Sequence, residues 1–267
     1  MDSPIEHNRD LWNEITPIHM RSPFYDVPGF KAGRNTLKPL ELGEVGDVSG
    51  KTLLHLQCHF GMDTLSWARL GASVTGVDIS EVAISQAQDL SRDLAISARF
   101  ICCNVYDLPH NLQGEFDVVF TSYGVLCWLP DLPAWAGIIS HFLKPGGLFY
   151  IVEVHPVLSI FDNSKSATGL KVTQSYFHKP EPIVWEPEGD YADKDAVVVH
   201  PSYEWTHSLS DILNALIGAG LKIEFLHEFP MCCYQWAPFT RQDEHGWWRI
   251  EGDRLPMMFS VRATKQP

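Results

Sequence analysis

Residues 51–80, KTLLHLQCHFGMDTLSWARLGASVTGVDIS, limit what this chain can fold into more than any other stretch. Residues 51–56 form a short apolar run of the buried-strand type, and 57–61 form a turn. A helix is predicted over 62–70, with Leu65, Ala68 and Leu70 apolar and Gly71 as its stop. A second apolar strand over 73–77 ends in Asp78. Strand, tight turn, helix, strand and terminal acid make one βαβ unit. Such a unit takes its ligand outside the carboxyl ends of the strands, on the turn and the helix start, and the acid can bind a ribose hydroxyl. The glycines of the dinucleotide fingerprint GxGxxG are replaced here, which disfavours a nicotinamide cofactor and an oxidoreductase.

The α/β rhythm continues. Ser80 and Glu81 start a helix, 98–103 is a third strand, and 115–122 a fourth. A helix over 131–143 stops at Lys144-Pro145-Gly146-Gly147, and 148–154 is the fifth strand. The helix over 207–219 and strands over 221–229 and 257–263 complete a sheet that ends in an antiparallel hairpin. Two regions depart from this rhythm. Residues 1–48 carry Leu11, Trp12 and Ile15 at partly helical spacing, then Pro17, Pro23 and Pro28 as breakers, and a short helix over 38–45. They are expected to form a cap on the ligand crevice; the plainer reading is that Trp12, Phe24 and Tyr25 only cover the core. Residues 156–204 are expected to be a substrate lid inserted after strand five, with antiparallel strands over 170–177 and 195–200, within an α/β domain of 49–267.

Composition narrows the function. At 267 residues and 45% hydrophobic, the chain has ample core. It has no apolar run long enough to span a membrane, and its polar start does not read as a secretory signal. A net charge of −13 without a Lys/Arg cluster argues against nucleic acid as a partner. The six cysteines show no C-x-x-C spacing, so no metal site is expected and free thiols in a cytoplasmic protein are. The segment 231–256 is aromatic, with Tyr234, Trp236, Phe239, Trp247 and Trp248. It suits an apolar, aromatic or cationic ligand, or else core or a homodimer contact.

Four ordered features carry a family resemblance over about residues 50–155: the 55–61 turn in a degenerate form of motif I, Asp78, the turn Asp107-Leu108-Pro109, and Phe116-Asp117-Val118-Val119 with the run LKPGGLFYIVE. Together they resemble the class I S-adenosylmethionine (SAM) dependent methyltransferases, near the broad small-molecule "type 11/12" group. In motif I, His55 stands in place of the usual acid, Gln57 and His59 replace the first two glycines, and Gly61 is retained. The resemblance implies a Rossmann-like, seven-stranded, mostly parallel sheet with a C-terminal antiparallel hairpin. It also implies SAM as cofactor, S-adenosylhomocysteine as product, and a small-molecule methyl acceptor. By the resemblance, Gln57, Cys58, His59 and Gly61 bed the methionine part and Asp78 holds the ribose. Ile79, Asn104 and Val105 meet the adenine, and Ser122 and Tyr123 line the sulfonium side. His155, at the end of strand five, is the candidate base. Tyr25, Arg34, Trp128 and Trp236 are candidate contacts to the acceptor. The alternative is a protein of this fold that binds a ligand, or catalyses a non-methyl reaction, without methyl transfer.

Overall fold

The structure is a computed structural model and describes residues 3–187 and 189–266. Three helices precede the first strand: α1 (Pro4–Arg21), α2 (Val27–Lys31) and α3 (Pro39–Val45). Then follow β1 (Thr52–Leu56), α4 (Met62–Arg69), β2 (Ser73–Asp78), α5 (Glu81–Asp93), β3 (Ala98–Cys102), a single-turn α6 (Leu108–Asn111), β4 (Phe116–Ser122), α7 (Leu132–Phe142) and β5 (Leu143–Val154). A hairpin of β6 (Ile183–Trp185) and β7 (Ser202–Glu204) lies before α8 (Leu209–Gly218) and β8 (Leu221–Phe229). Three two-residue strands, β9 (Met231–Cys232), β10 (Arg241–Gln242) and β11 (Trp248–Arg249), form a separate small sheet, and β12 (Met258–Lys265) returns to the main one.

The main sheet has the order β3-β2-β1-β4-β5-β12-β8. β1 to β5 are parallel, and β12 lies antiparallel between β5 and β8, as expected from the sequence. Its central strands are apolar on both faces because helices cover both. Leu53, Leu54 and Leu56 of β1 are fully buried, as are Phe149, Tyr150, Ile151 and Val152 of β5. On one face Trp135, Ile139 and Phe142 of α7 pack on Leu54, Val119 and Phe149; on the other, Trp67 of α4 packs on Leu53, Phe120 and Tyr150. Each such side chain contributes about 1.5–3 kcal/mol by leaving water. Because β1 lies between β2 and β4, the turn after β1 stands at the centre of the sheet's carboxyl edge, flanked by Asp78 and Ser122.

The structure corrects three expectations. α1 runs through Pro17 to Arg21 rather than breaking there. Its start is fixed by a Ser3–Glu6 capping box, and its buried stripe, Leu11, Ile15 and His19, continues past the proline, so burial outweighs the lost backbone bond. Neither 170–177 nor 195–200 is a strand. Val172, Val197 and Val199 are 63%, 85% and 71% exposed, so their strand-type side chains have no sheet face to cover. The insertion pairs instead as β6 with β7, and Phe161 bridges Val172. Finally, β5 begins at Leu143, with an irregular register opposite Phe116 and Val118, so Lys144–Gly147 belong to a bulged strand start rather than to a turn outside it.

Candidate functional site

The carboxyl ends of β1, β2 and β4 form the floor of a cavity of about 580 Å³. The arm before β1 contributes Trp12, Tyr25, Arg34 and Lys38 to its walls, the insertion contributes Tyr191 and Glu204, and the aromatic C-terminal loop contributes Cys233 and Tyr234.

The turn after β1 shapes the centre of the floor. Gln57, His59 and Gly61 all have left-handed backbone, with φ of 54°, 51° and 79°. A non-glycine residue pays roughly 1–2 kcal/mol for this conformation. Hydrogen bonds hold the turn: Cys58 N–H donates to Val77 O at 2.9 Å, Gly61 N–H to Cys58 O at 3.0 Å, and Gln57 Nε2 to Val125 O at 2.9 Å. At Gly61 a Cβ would lie 2.8 Å from the Phe100 ring and 2.9 Å from the Ala87 Cβ, so this glycine also permits α4 to start against α5 and β3.

Asp78 stands beside the turn. Its Oδ2 accepts from His59 N–H at 2.7 Å and its Oδ1 from Ser80 N–H at 3.0 Å. Burial pushes its carboxyl up to about 6, with the backbone N–H groups of Ser80 and His59 holding it back. Each oxygen keeps a further lone pair, which suits a ligand diol. Ile79, Asn104 and Val105 line the cavity on the β3 side. Asn104 Oδ1 accepts from Tyr106 N–H at 3.1 Å and so caps a 3₁₀ turn, which engages part of the acceptor that the sequence offered to an adenine.

On the β4 side, Ser122 and Tyr123 line the cavity, and the Tyr123 hydroxyl donates to Glu41 Oε2 at 2.9 Å. Glu41 is fully buried, and burial pushes its carboxyl up to about 7 against the opposing hydrogen bond from Lys38 N–H. At the end of β1, burial pushes His55 down to about 3, so the ring is neutral; its Nδ1 lies 2.8 Å from Thr64 Oγ1. The roof is aromatic. Trp12 meets Trp128 and His59 edge to face at 5.3 and 5.1 Å, and the hydroxyls of Tyr25 and Tyr191 are in contact.

Of the residues that the sequence singled out, Gln57, Cys58, His59, Gly61, Asp78, Ile79, Asn104, Val105, Ser122 and Tyr123 line this one cavity, together with Tyr25, Arg34 and Trp128. His155 and Trp236 are not among its lining residues. His155 is buried beneath the start of β12, where its N–H donates to Met257 O. Its Nδ1 accepts from Val157 N–H at 3.1 Å, which leaves the proton on Nε2, 2.8 Å from Glu228 Oε1. Both nitrogens are committed to structure. Trp236 is 6% exposed and packs with Ile250, Met257 and Met258 in the core under the small sheet; of the loop's aromatic residues, Tyr234 alone reaches the cavity wall.

Sequence reasoning passed over Asp63, Lys38, Tyr191 and Glu204. Asp63 had a readable signal, because it sits in the first turn of the helix that follows the turn. Tyr191 and Glu204 lie in a segment without periodicity and had none. A second hollow, about 810 Å³ between α7 and α8, is lined by Pro130, Gly137, His207 and Gly218 and lies away from the strand ends that form this floor. Among the described residues, no three His, Cys, Asp or Glu side chains gather as a metal site. No described helix is long and apolar enough to cross a membrane.

The family model described as "Methyltransferase domain" matches residues 54–151. Ubiquinone biosynthesis O-methyltransferase of Xanthomonas oryzae pv. oryzae is 29% identical over 141 residues, which are 52% of this chain and 59% of that protein. The chain thus matches little more than half the length of that relative. Among solved structures, an S-adenosylmethionine dependent methyltransferase from Mesorhizobium loti aligns with a TM-score of 0.61 at 21% identity, covering 88% of this chain and all of that one. One from Clostridium acetobutylicum aligns with a TM-score of 0.53 at 16% identity, covering 81% and 84%. These two likenesses establish the fold.

Proposed function

We propose, from a chain whose residues 54–151 match the methyltransferase-domain model and whose sheet has the class I methyltransferase form, that the cavity binds SAM and directs methyl transfer to a small molecule. The observation that carries this reading is the turn at 57–61. It keeps left-handed backbone at all three glycine positions of motif I, although two of them hold side chains, and it stands against Asp78 at the end of β2.

Bound there, SAM supplies a methyl group on a sulfonium leaving group. The chain's part is to hold donor and acceptor in line and to exclude water. Asp78 accepts hydrogen bonds from the ribose diol. Ile79 and Val105 pack on the adenine and Asn104 meets its edge. Gln57, Cys58, His59 and Gly61 bed the methionine part, and Ser122 and Tyr123 face the sulfonium. The arm 1–48 acts as a cap and the insertion 156–204 as a lid, closing over the site through Trp12, Tyr25 and Tyr191. The volume of about 580 Å³ falls within the usual range of small-molecule sites, about 300–1,000 Å³. The aromatic roof favours an apolar or aromatic acceptor, in keeping with the O-methyltransferase name of the relatives. The six cysteines are free thiols, which suits a reducing cytoplasm.

Calorimetric titration of the purified chain with SAM and with S-adenosylhomocysteine tests the reading. Micromolar binding of both, lost in Asp78→Ala, is the expected result. A second reading follows from the side chains of Gln57 and His59, which occupy space that glycine leaves to a ligand. A folded protein that binds neither compound would favour that reading, a ligand-binding or non-methyl role on the same fold.

A further inference from the structure

We infer that Asp63 and Lys38 hold the two opposite charges of an α-amino acid group, and that Asp63 thereby takes over the role of the acid missing from the end of β1. The inference rests on the SAM reading above and assigns the methionine end of that ligand.

His55 occupies the place of the motif I acid, is 3% exposed, and is neutral because burial disfavours its charged form. The floor therefore has no charge at the end of β1. The nearest carboxylate in sequence that lines the cavity is Asp63, eight residues on, in the first turn of α4. Its Oδ1 accepts from the Thr36 hydroxyl at 2.5 Å, which ties it to the N-terminal arm. Burial pushes its carboxyl up, and the Thr36 bond, with Lys38, Ser122 and Arg34 nearby, holds it back. An ammonium group would replace the water that this carboxylate has lost.

Lys38 lines the same cavity. It acts on Asp63 through space, yet no ion pair joins the two among the described residues; its ammonium lies over the Trp247 ring, 5.4 Å from the centroid. Arg34 is already committed to Asp26, at 3.0 Å. Asp63 and Lys38 thus both line the cavity without forming an ion pair with each other. A zwitterion satisfies both, its ammonium on Asp63 and its carboxylate on Lys38. A singly charged ligand group would leave one of them unpaired.

The test compares S-adenosylhomocysteine with 5′-methylthioadenosine, which keeps the nucleoside and sulfur but lacks the amino acid group. Both are titrated calorimetrically into the full chain and into Asp63→Asn and Lys38→Met, with thermal melts to confirm folding. In wild type, S-adenosylhomocysteine should bind at least tenfold more tightly than the truncated compound. Each variant should weaken S-adenosylhomocysteine by about 10- to 100-fold, as expected for a lost charge-assisted contact, and change 5′-methylthioadenosine less than about twofold. Equal losses for both ligands would make the residues structural and overturn the inference, as would unchanged binding of both. Lys38→Met keeps the test open if Asp63→Asn fails to fold, because the Lys38 side chain makes no cap bond at the start of α3. Wild type that binds neither compound overturns the SAM reading itself and this inference with it, a result distinct from variants that fail to discriminate.

Discussion

His19 Nδ1 lies 2.8 Å from His59 Nε2, and the other ring nitrogen of His19 lies 2.9 Å from Asp190 Oδ1. One buried ring of α1 thus ties the turn after β1 to the insertion that follows β5. In the tautomer of His19 that donates from Nε2 to Asp190, its Nδ1 accepts, and His59 donates from its own Nε2. Three segments far apart in sequence are held at one point above the candidate site.

Breaking that tie should loosen the roof and spare the sheet. His19→Leu leaves the Asp190 carboxylate, whose side chain is 7% exposed, without its ring partner. Hydrogen exchange in 189–193 and in the last turn of α1 is expected to speed up by at least tenfold. Exchange in β1, β4 and β5 should stay within about twofold. Equal acceleration everywhere would mean that the tie supports the whole fold.

Affinity for S-adenosylhomocysteine should depend on pH through Asp78. Its carboxyl is raised to about 6, so below that pH a proton competes with ligand hydroxyls for the ionised form. Titrations should show constant affinity above pH 7 and a loss approaching tenfold per unit below about 6. Asp78→Asn should bind more weakly at pH 7 and lose the dependence.

Glu41 should make the fold less stable at high pH. Its folded-state value of about 7 lies above the ordinary 4.5, so the folded chain holds this proton more tightly than the unfolded chain does. The resulting stabilisation is complete below about 4.5 and is lost as pH rises through about 7, an effect on the order of 3 kcal/mol. Denaturant unfolding of Glu41→Gln should show a flatter pH profile than wild type between pH 5 and 8. Identical profiles would assign the dependence to another group.

Gly61→Ala should destabilise the chain by about 2–3 kcal/mol, from the left-handed backbone and the overlap with Phe100 and Ala87 together. Thermal melts would show it, with or without ligand present.

Local order carried most of the fold. Apolar runs set the central strands, and Ser80 caps α5 as its residue type leads one to expect. The floor of the cavity was equally legible, because Asp78, Ile79, Asn104, Ser122 and Tyr123 end or follow strands whose positions come from the βαβ pattern. The walls were not. His155 was read from its place at the end of β5, but whether a strand end opens on a cavity depends on what covers it, and here β12 does. Trp236 lies off the cavity for a related reason. An aromatic loop can turn its rings inward or outward, and the small sheet of β9, β10 and β11 turns this one toward its own core. The valines at 197 and 199 look like strand residues, yet both are exposed, and the Val199 N–H donates to the Glu14 carboxylate rather than to a strand.

The turn after β1 separates two demands that a glycine-rich motif usually merges. Gly61 is required by its protein neighbours, since an added methyl would strike Phe100 and Ala87. Gln57 and His59 show that the bend itself can be made without glycine, at a modest cost met by hydrogen bonds to Val125 and His19. Glycine count is therefore a poor guide to ancestry for chains of this kind. A profile that weights position 61 and the acid at 78, and leaves 57 and 59 free, would gather relatives that a pattern of three glycines discards.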